Sequence, residues 1–251
     1  MANVADHDHG PKHSEVPAPD DLDRGVNVNT EGPSVRLAFI RKVYSILTLQ
    51  LLFTIGVGCI FMFVEPIRTF VAGHQWLVWI ALGITLGFLI PLICLKRKHP
   101  LNLVLLFGFT VGVSLLIGTV VAAYKEAGAG VVVLEAFVLT GTVFLLLTAL
   151  CFIWKKDFSF LGGFLFAGFI ILVMASVANF AFGFVGVRSR AITFAISVAG
   201  ALLFCGYILY DTSLIMKHLS PDDYIIGVIS LYTDVTNLFL FMLNILSLAQ
   251  T

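Results

Sequence analysis

From about residue 43 the chain alternates between long apolar runs and short polar breaks. The runs lie at approximately 43–64, 76–95, 101–123, 130–153, 160–183, 191–210 and 224–248. Each is close to the roughly twenty residues that cross a bilayer. The breaks EPIRTFVAGHQ, KRKHP, YKEAGA, WKKDFS, GVRSR and TSLIMKHLSPDD leave no room for a soluble domain. In hydrocarbon every backbone N–H and C=O needs an internal partner, so runs of this length are helical. The pattern predicts an all-α membrane protein, a seven-transmembrane helix bundle over residues 36–251. The last run is the most polar, with Asp234, Thr236, Asn237 and Asn244 inside it. It should be kept from lipid, either as a central helix shielded by the others or as a re-entrant segment.

Residues 1–35 follow a different pattern. They hold Pro11, Pro17, Pro19 and Pro33, the acidic group Asp20, Asp21 and Asp23, and almost no large apolar residue. Such a stretch cannot bury enough surface to fold, which predicts a disordered cytosolic tail. His7, His9 and His13 fall in it and are read as incidental, although a His-rich tract can bind metal. With polar residues at the start, the first apolar helix is expected to serve as the insertion signal.

Composition agrees with the pattern. The chain has 251 residues, 59% hydrophobic and 12% charged, with a mean hydropathy of +1.01. Soluble domains carry about 25% charged residues. The formal net charge is zero, which argues against nucleic acid as a partner. Cys59, Cys94, Cys151 and Cys205 all lie in apolar runs without a CxxC pair, so neither a disulfide framework nor a zinc site is expected. Lys and Arg set the orientation. One side would hold Arg36, Arg41, Lys42, Lys96, Arg97, Lys98, Lys155, Lys156 and Lys217; the other, only Arg68, Lys125, Arg188 and Arg190. The N-terminus is therefore expected in the cytosol, with Thr251 on the far side. The spacings Gly83–Gly87 and Gly108–Gly112 each make GxxxG, a pattern that lets helices pack closely.

Candidate chemistry sits where charge meets the apolar runs. Asp211 ends ALLFCGYILYD and Asp234 interrupts ISLYTDVTNLFLFMLNIL. A charge at the bilayer centre costs roughly 2.5–3.5 kcal/mol on insertion scales, so an intramembrane acid points to function. Counted from Pro221 in the turn between them, Asp211 lies ten residues back and Asp234 thirteen on. Both carboxylates thus reach a similar depth, roughly 15–20 Å from the turn. Two acids at one depth repel unless a proton or a cation lies between them, and a close pair titrates as one unit. The pair is a candidate cation site and proton-sharing gate, with Ca²⁺ suited to carboxylate oxygens, backbone carbonyls and water. The competing reading is a buried helix–helix tie, with donors from Tyr210, Tyr232, Thr233 or Asn237. Glu135, about five residues into the fourth run, is either a vestibule acid or an interfacial residue reaching headgroups or Lys125. Lys96, Arg97 and Lys98 anchor the second run, and one of them could bend inward to pair with Asp211. Motifs of hydrolases (HExxH, GxSxG) are lacking. The two-aspartate pattern of an intramembrane protease is only half met, since Asp234 follows YT rather than a glycine pair. An enzyme is not expected, nor a cofactor beyond calcium as the bound or transported ion.

Several strings together resemble the Bax inhibitor/Lifeguard family, and its Lifeguard branch in particular. They are FIRKVYSILTLQLLFT (39–54), KRKHPLNLVLLFGFT (96–110), LEAFVLTGTVFLLLTA (134–149), KKDFSFLGGFL (155–165), GYILYDTSLIM (206–216) and YTDVTNLFLFMLNIL (232–246). The resemblance implies six helices around a central last one, a pH-sensitive Ca²⁺ leak from internal stores, and suppression of stress-induced cell death. It implies that Asp211 and Asp234 are the paired aspartates, that Lys96 or Arg97 is the basic latch, and that Glu135 is the glutamate of the fourth helix. An endoplasmic reticulum or Golgi location follows from it alone. Two departures stand out: Thr233 precedes Asp234 where Leu is usual, and a basic C-terminal tail is absent after SLAQT.

Two functions follow as expectations. The first is a calcium leak channel gated at Asp211 and Asp234, with calcium and the lipid bilayer as its partners. The second is a non-conducting membrane adaptor that acts through cell-death regulators or other channels, with residues 1–35 as its docking segment. Deleting the tail separates them, because only the adaptor would lose its effect.

Overall fold

The computed structural model describes residues 32–184, 186 and 189–250. Of the expected tail (residues 1–35), residues 1–31, with His7, His9 and His13, lie outside the described residues, and 33–35 open the first helix. Eight α-helices follow one another: α1 (Pro33–Phe63), α2 (Glu65–Gly73), α3 (Leu77–Cys94), α4 (Leu101–Glu126), α5 (Gly130–Trp154), α6 (Gly162–Phe184), α7 (Arg190–Lys217) and α8 (Tyr224–Gln250). All but α2 are long and apolar enough to cross a membrane, giving the seven spans expected.

Three boundaries differ from the apolar runs, each for a physical reason. Helix α1 starts at Pro33, where a missing N–H costs nothing at the first helical turn. It reaches ten residues further back than its apolar run. Phe39 buries one face of this extension in the core, in helical register with Val43 and Leu47 of the run. Helix α7 continues seven residues past 210, because Asp211, Thr212, Ser213, Ile215 and Met216 are buried against protein, where hydropathy ceases to be the guide. Helix α2 falls in what reads as a loop. Its nine residues, opened by Glu65 and Pro66, are too short to register as a span. It is held by Arg68, whose Nε lies 2.6 Å from Glu126 Oε1.

Helix α8 is the axis of the bundle, in contact with α1, α4, α5 and α7. In its most apolar window 56% of residues are buried, against 11% for the span containing α6. Ile225, Val228, Leu231, Tyr232 and Leu238 are fully enclosed. The central last helix is thus a full-length one. Helices α7 and α8 form a hairpin closed by a 3₁₀ turn at Pro221–Asp223. Lys42 Nζ sits 3.4 Å above the centre of the Tyr224 ring and ties α1 to the start of α8.

The two glycine pairs behave differently. A Cβ on Gly108 would strike the Phe88 ring, and one on Gly112 would come within 2.8 Å of the Thr85 backbone. This pair sets the α3–α4 seam. At Gly83 and Gly87 an added Cβ meets nothing within 4 Å, so that pair takes no part in packing inside the monomer.

At the same end as the hairpin turn, the α5–α6 connection is fastened to α7. Asp157 Oδ1 accepts from Ser159 N at 2.9 Å, and Oδ2 lies 2.7 Å from His218 Nε2. Phe158 N donates to Ser213 Oγ at 2.9 Å. The Ser159 backbone N–H, then its side chain and His218, hold the Asp157 carboxyl well below the usual carboxylate range. A depressed acid stabilises the fold above its unfolded pKa of about 4 and loses that contribution as pH falls through the folded value. Asp157→Ala should therefore lower the melting temperature at neutral pH by a few degrees. The gap to wild type should close on acidification, as measured by thermal unfolding in detergent at a series of pH values.

Candidate functional site

Asp211 on α7 and Asp234 on α8 meet at the centre of the hairpin. They are 9% and 5% exposed, and their carboxyl groups are neighbours. Two adjacent buried carboxyls repel unless a proton or a cation is shared between them. Ser230 on α8 stands near the Asp211 carboxyl. Ser230 stands one helical turn before Asp234, so it shares that face of α8. The i, i+4 spacing to Asp234 is the sequence signal for Ser230. Asp234 Oδ2 is buried and has no hydrogen-bond partner among the described residues. An unpaired buried carboxylate oxygen is costly, and it is an acceptor waiting for a proton, water or cation.

Two of the donors expected for a purely structural tie, Tyr232 and Asn237, point elsewhere. Tyr232 OH lies 2.7 Å from Thr54 Oγ1 on α1, and Asn237 Nδ2 donates to the Thr233 carbonyl at 2.9 Å. Thr212, next to Asp211, accepts from Tyr44 OH at 3.4 Å. A second buried polar cluster surrounds Tyr232: Gln50 donates to Thr110 Oγ1 at 2.7 Å, and Thr54 lies 2.9 Å from Ser114 Oγ. These contacts join α1, α4 and α8 beside the acid pair.

Lys96 and Arg97 go to a different acid from the one expected. Lys96 Nζ lies 3.2 Å from Asp223 Oδ1, and Arg97 Nη2 lies 3.1 Å from Asp223 Oδ2. Helix α3 ends at Cys94, so both residues stand beyond it at the end of the bundle. Asp223 is at the hairpin turn, whereas Asp211 is six residues, about 9 Å, inside α7. The fork therefore clamps the turn, and Asp234 lies about 16 Å further along α8.

Glu135 is exposed near the opposite end of the bundle, where its Oε2 accepts from Gln250 Nε2 at 2.7 Å. It anchors the end of α8 and stands apart from the acid pair. Among the described residues no group of three or more His, Cys, Asp or Glu side chains gathers as a metal nest. Asp211, Asp234 and Ser230 would supply part of the six to eight oxygens that Ca²⁺ takes, the remainder falling to carbonyls and water.

Residues 36–251 match the family described as "Inhibitor of apoptosis-promoting Bax1". The chain belongs to the Bax inhibitor family. Similar family members include Protein lifeguard 4 of Mus musculus, 42% identical over 244 residues, covering 97% of this chain and 98% of the relative. The Golgi anti-apoptotic protein of Vaccinia virus (strain Lister) is 38% identical over 231 residues, covering 92% and 94%. Protein LIFEGUARD 4 of Arabidopsis thaliana is 41% identical over 227 residues, covering 88% of each. The family match over 36–251 takes in the hairpin with Asp211 and Asp234.

Proposed function

We propose that the protein is a pH-sensitive calcium leak channel of an internal membrane, whose activity lowers stored calcium and suppresses cell death. The observation that carries this reading is a pair of buried carboxyls on the packed helices α7 and α8, with Asp234 Oδ2 left as an unpaired acceptor. Protons and Ca²⁺ compete for the same oxygens, which makes the pair a gate responsive to both. Relatives bearing the names lifeguard and Golgi anti-apoptotic protein support the cell-death role and a Golgi or neighbouring endomembrane. The basic loops support a cytosolic N-terminus. The Asp223 fork keeps the hairpin turn in register, and calcium is cargo in a non-enzymatic protein.

The test is Ca²⁺ uptake into proteoliposomes of the purified full chain, stepped over roughly pH 6 to 8. Wild type should show pH-dependent uptake. Asp211→Asn and Asp234→Asn should each flatten the pH profile, and the double variant should lose most of the flux. Absence of flux above empty liposomes, from protein shown to be folded, would sink the channel and leave the adaptor.

A further inference from the structure

A cleft of about 280 Å³, separate from the acid pair, lies between α1 and α5 with α8 as its floor. Its α1 wall runs from Leu51 to Met62 and its α5 wall from Val133 to Phe144. Each wall is therefore about 16 Å long, close to half the roughly 30 Å hydrocarbon thickness of a bilayer. Met62 and Val133 lie at the bundle end away from the Asp223 fork, so the cleft runs from that interface to the bilayer centre.

The cleft owes its space to missing side chains. At both Gly58 and Gly141, which line it, an added Cβ would meet nothing within 4 Å. Its rim is continuous with the lipid-facing surface, since Leu134 and Phe137 are 50% and 44% exposed. Its polar residues are already engaged. Thr54, Thr140 and Thr236 donate their hydroxyls to the carbonyls of Gln50, Ala136 and Tyr232, one turn back. Such a wall suits neither an ion nor a headgroup. Left empty, it would forfeit dispersion contacts along its whole length, and the bilayer offers hydrocarbon at its mouth.

We propose that this cleft is a binding site for one acyl chain of a membrane phospholipid, drawn from the leaflet away from the Asp223 fork. The match to one leaflet, the apolar walls and the lateral opening all select a single extended chain. The chain completes the packing of Val235, Thr236 and Phe239, the stretch of α8 that follows Asp234. Bound lipid would thereby steady the helix that carries the acid, whether or not the protein conducts calcium.

The experiment uses the full chain in nanodiscs containing a phosphatidylcholine with a diazirine at mid-chain, with photolabelled residues mapped by mass spectrometry. Labelling should concentrate on Cys59, Met62 and Phe137, several-fold above the exposed α6 residues Phe164 and Phe180. Filling the cleft with Gly58→Leu and Gly141→Leu should erase that excess and leave α6 labelling intact. Gly83→Leu, which also adds a side chain into open space, should leave both unchanged. Equal labelling of cleft and α6 in wild type would overturn the proposal without need of any variant. So would an excess that survives filling. Loss of the excess on adding cholesterol, but not on adding the same amount of unlabelled phosphatidylcholine, would reassign the site to a sterol.

Discussion

Gly112→Leu should pry apart the α3–α4 seam and destabilise the protein by about 3 kcal/mol or more, at the top of the range for overpacking. A Cβ at this position would lie 2.6 Å from Thr85 Oγ1 and 2.8 Å from both Thr85 N and Cα. Side chains can swing away from a new methyl group, but a helical backbone cannot. Thr85 itself is fixed, 8% exposed and donating to the Ala81 carbonyl at 2.8 Å. Gly83→Leu is the matched control, because it adds the same side chain to the same helix pair in open space. Thermal unfolding in detergent should separate the two variants widely. Similar melting temperatures would refute close backbone contact at Gly112.

Tyr232→Ala should cost about 3–5 kcal/mol, the usual penalty for emptying a large aromatic site. The residue is fully buried, its ring sits edge-on to Phe109 at 5.9 Å, and its hydroxyl is 2.7 Å from Thr54 Oγ1. Tyr232→Phe keeps the ring and removes only the hydroxyl. Hydrogen bonds between membrane helices average about 0.6 kcal/mol, so this variant should be mild. A double-mutant cycle with Thr54→Val isolates the pairwise part. Comparable losses for the phenylalanine and alanine variants would mean that the polar contact, rather than packing, holds α1 to α8.

The seven spans are legible in the sequence because hydrocarbon imposes a minimum apolar length and forbids open backbone. Legibility fails where protein replaces lipid as the surroundings. The acid at 211 ends an apolar run yet lies inside α7, since its face turns to α8. Phe39, buried in the core, extends α1 back through the basic stretch for the same reason. Within the site, the cost of charge singled out Asp211 and Asp234, and the count from the turn placed them at one depth. The partners of Lys96 and Arg97 were not readable, because a loop of six residues can present its charges to any acid at that end of the bundle. Asp223 was visible in the sequence as a turn residue, and only the fold brings the fork to it. The cleft was hidden altogether: Gly58 and Gly141 lie far apart in the chain, and each alone reads as an ordinary membrane glycine.

Helix α8 is held at both extremities. At its start Lys96 and Arg97 grip Asp223, and near its finish Arg190 donates to the Leu248 carbonyl while Gln250 reaches Glu135. A rod held at its two ends resists sliding like a piston. Rearrangement at Asp234 is thereby steered toward bowing or twisting about the middle of the rod, so the opening proposed at the acid pair should appear as a sideways displacement of α8 against α7, without a shift in the level of either tip.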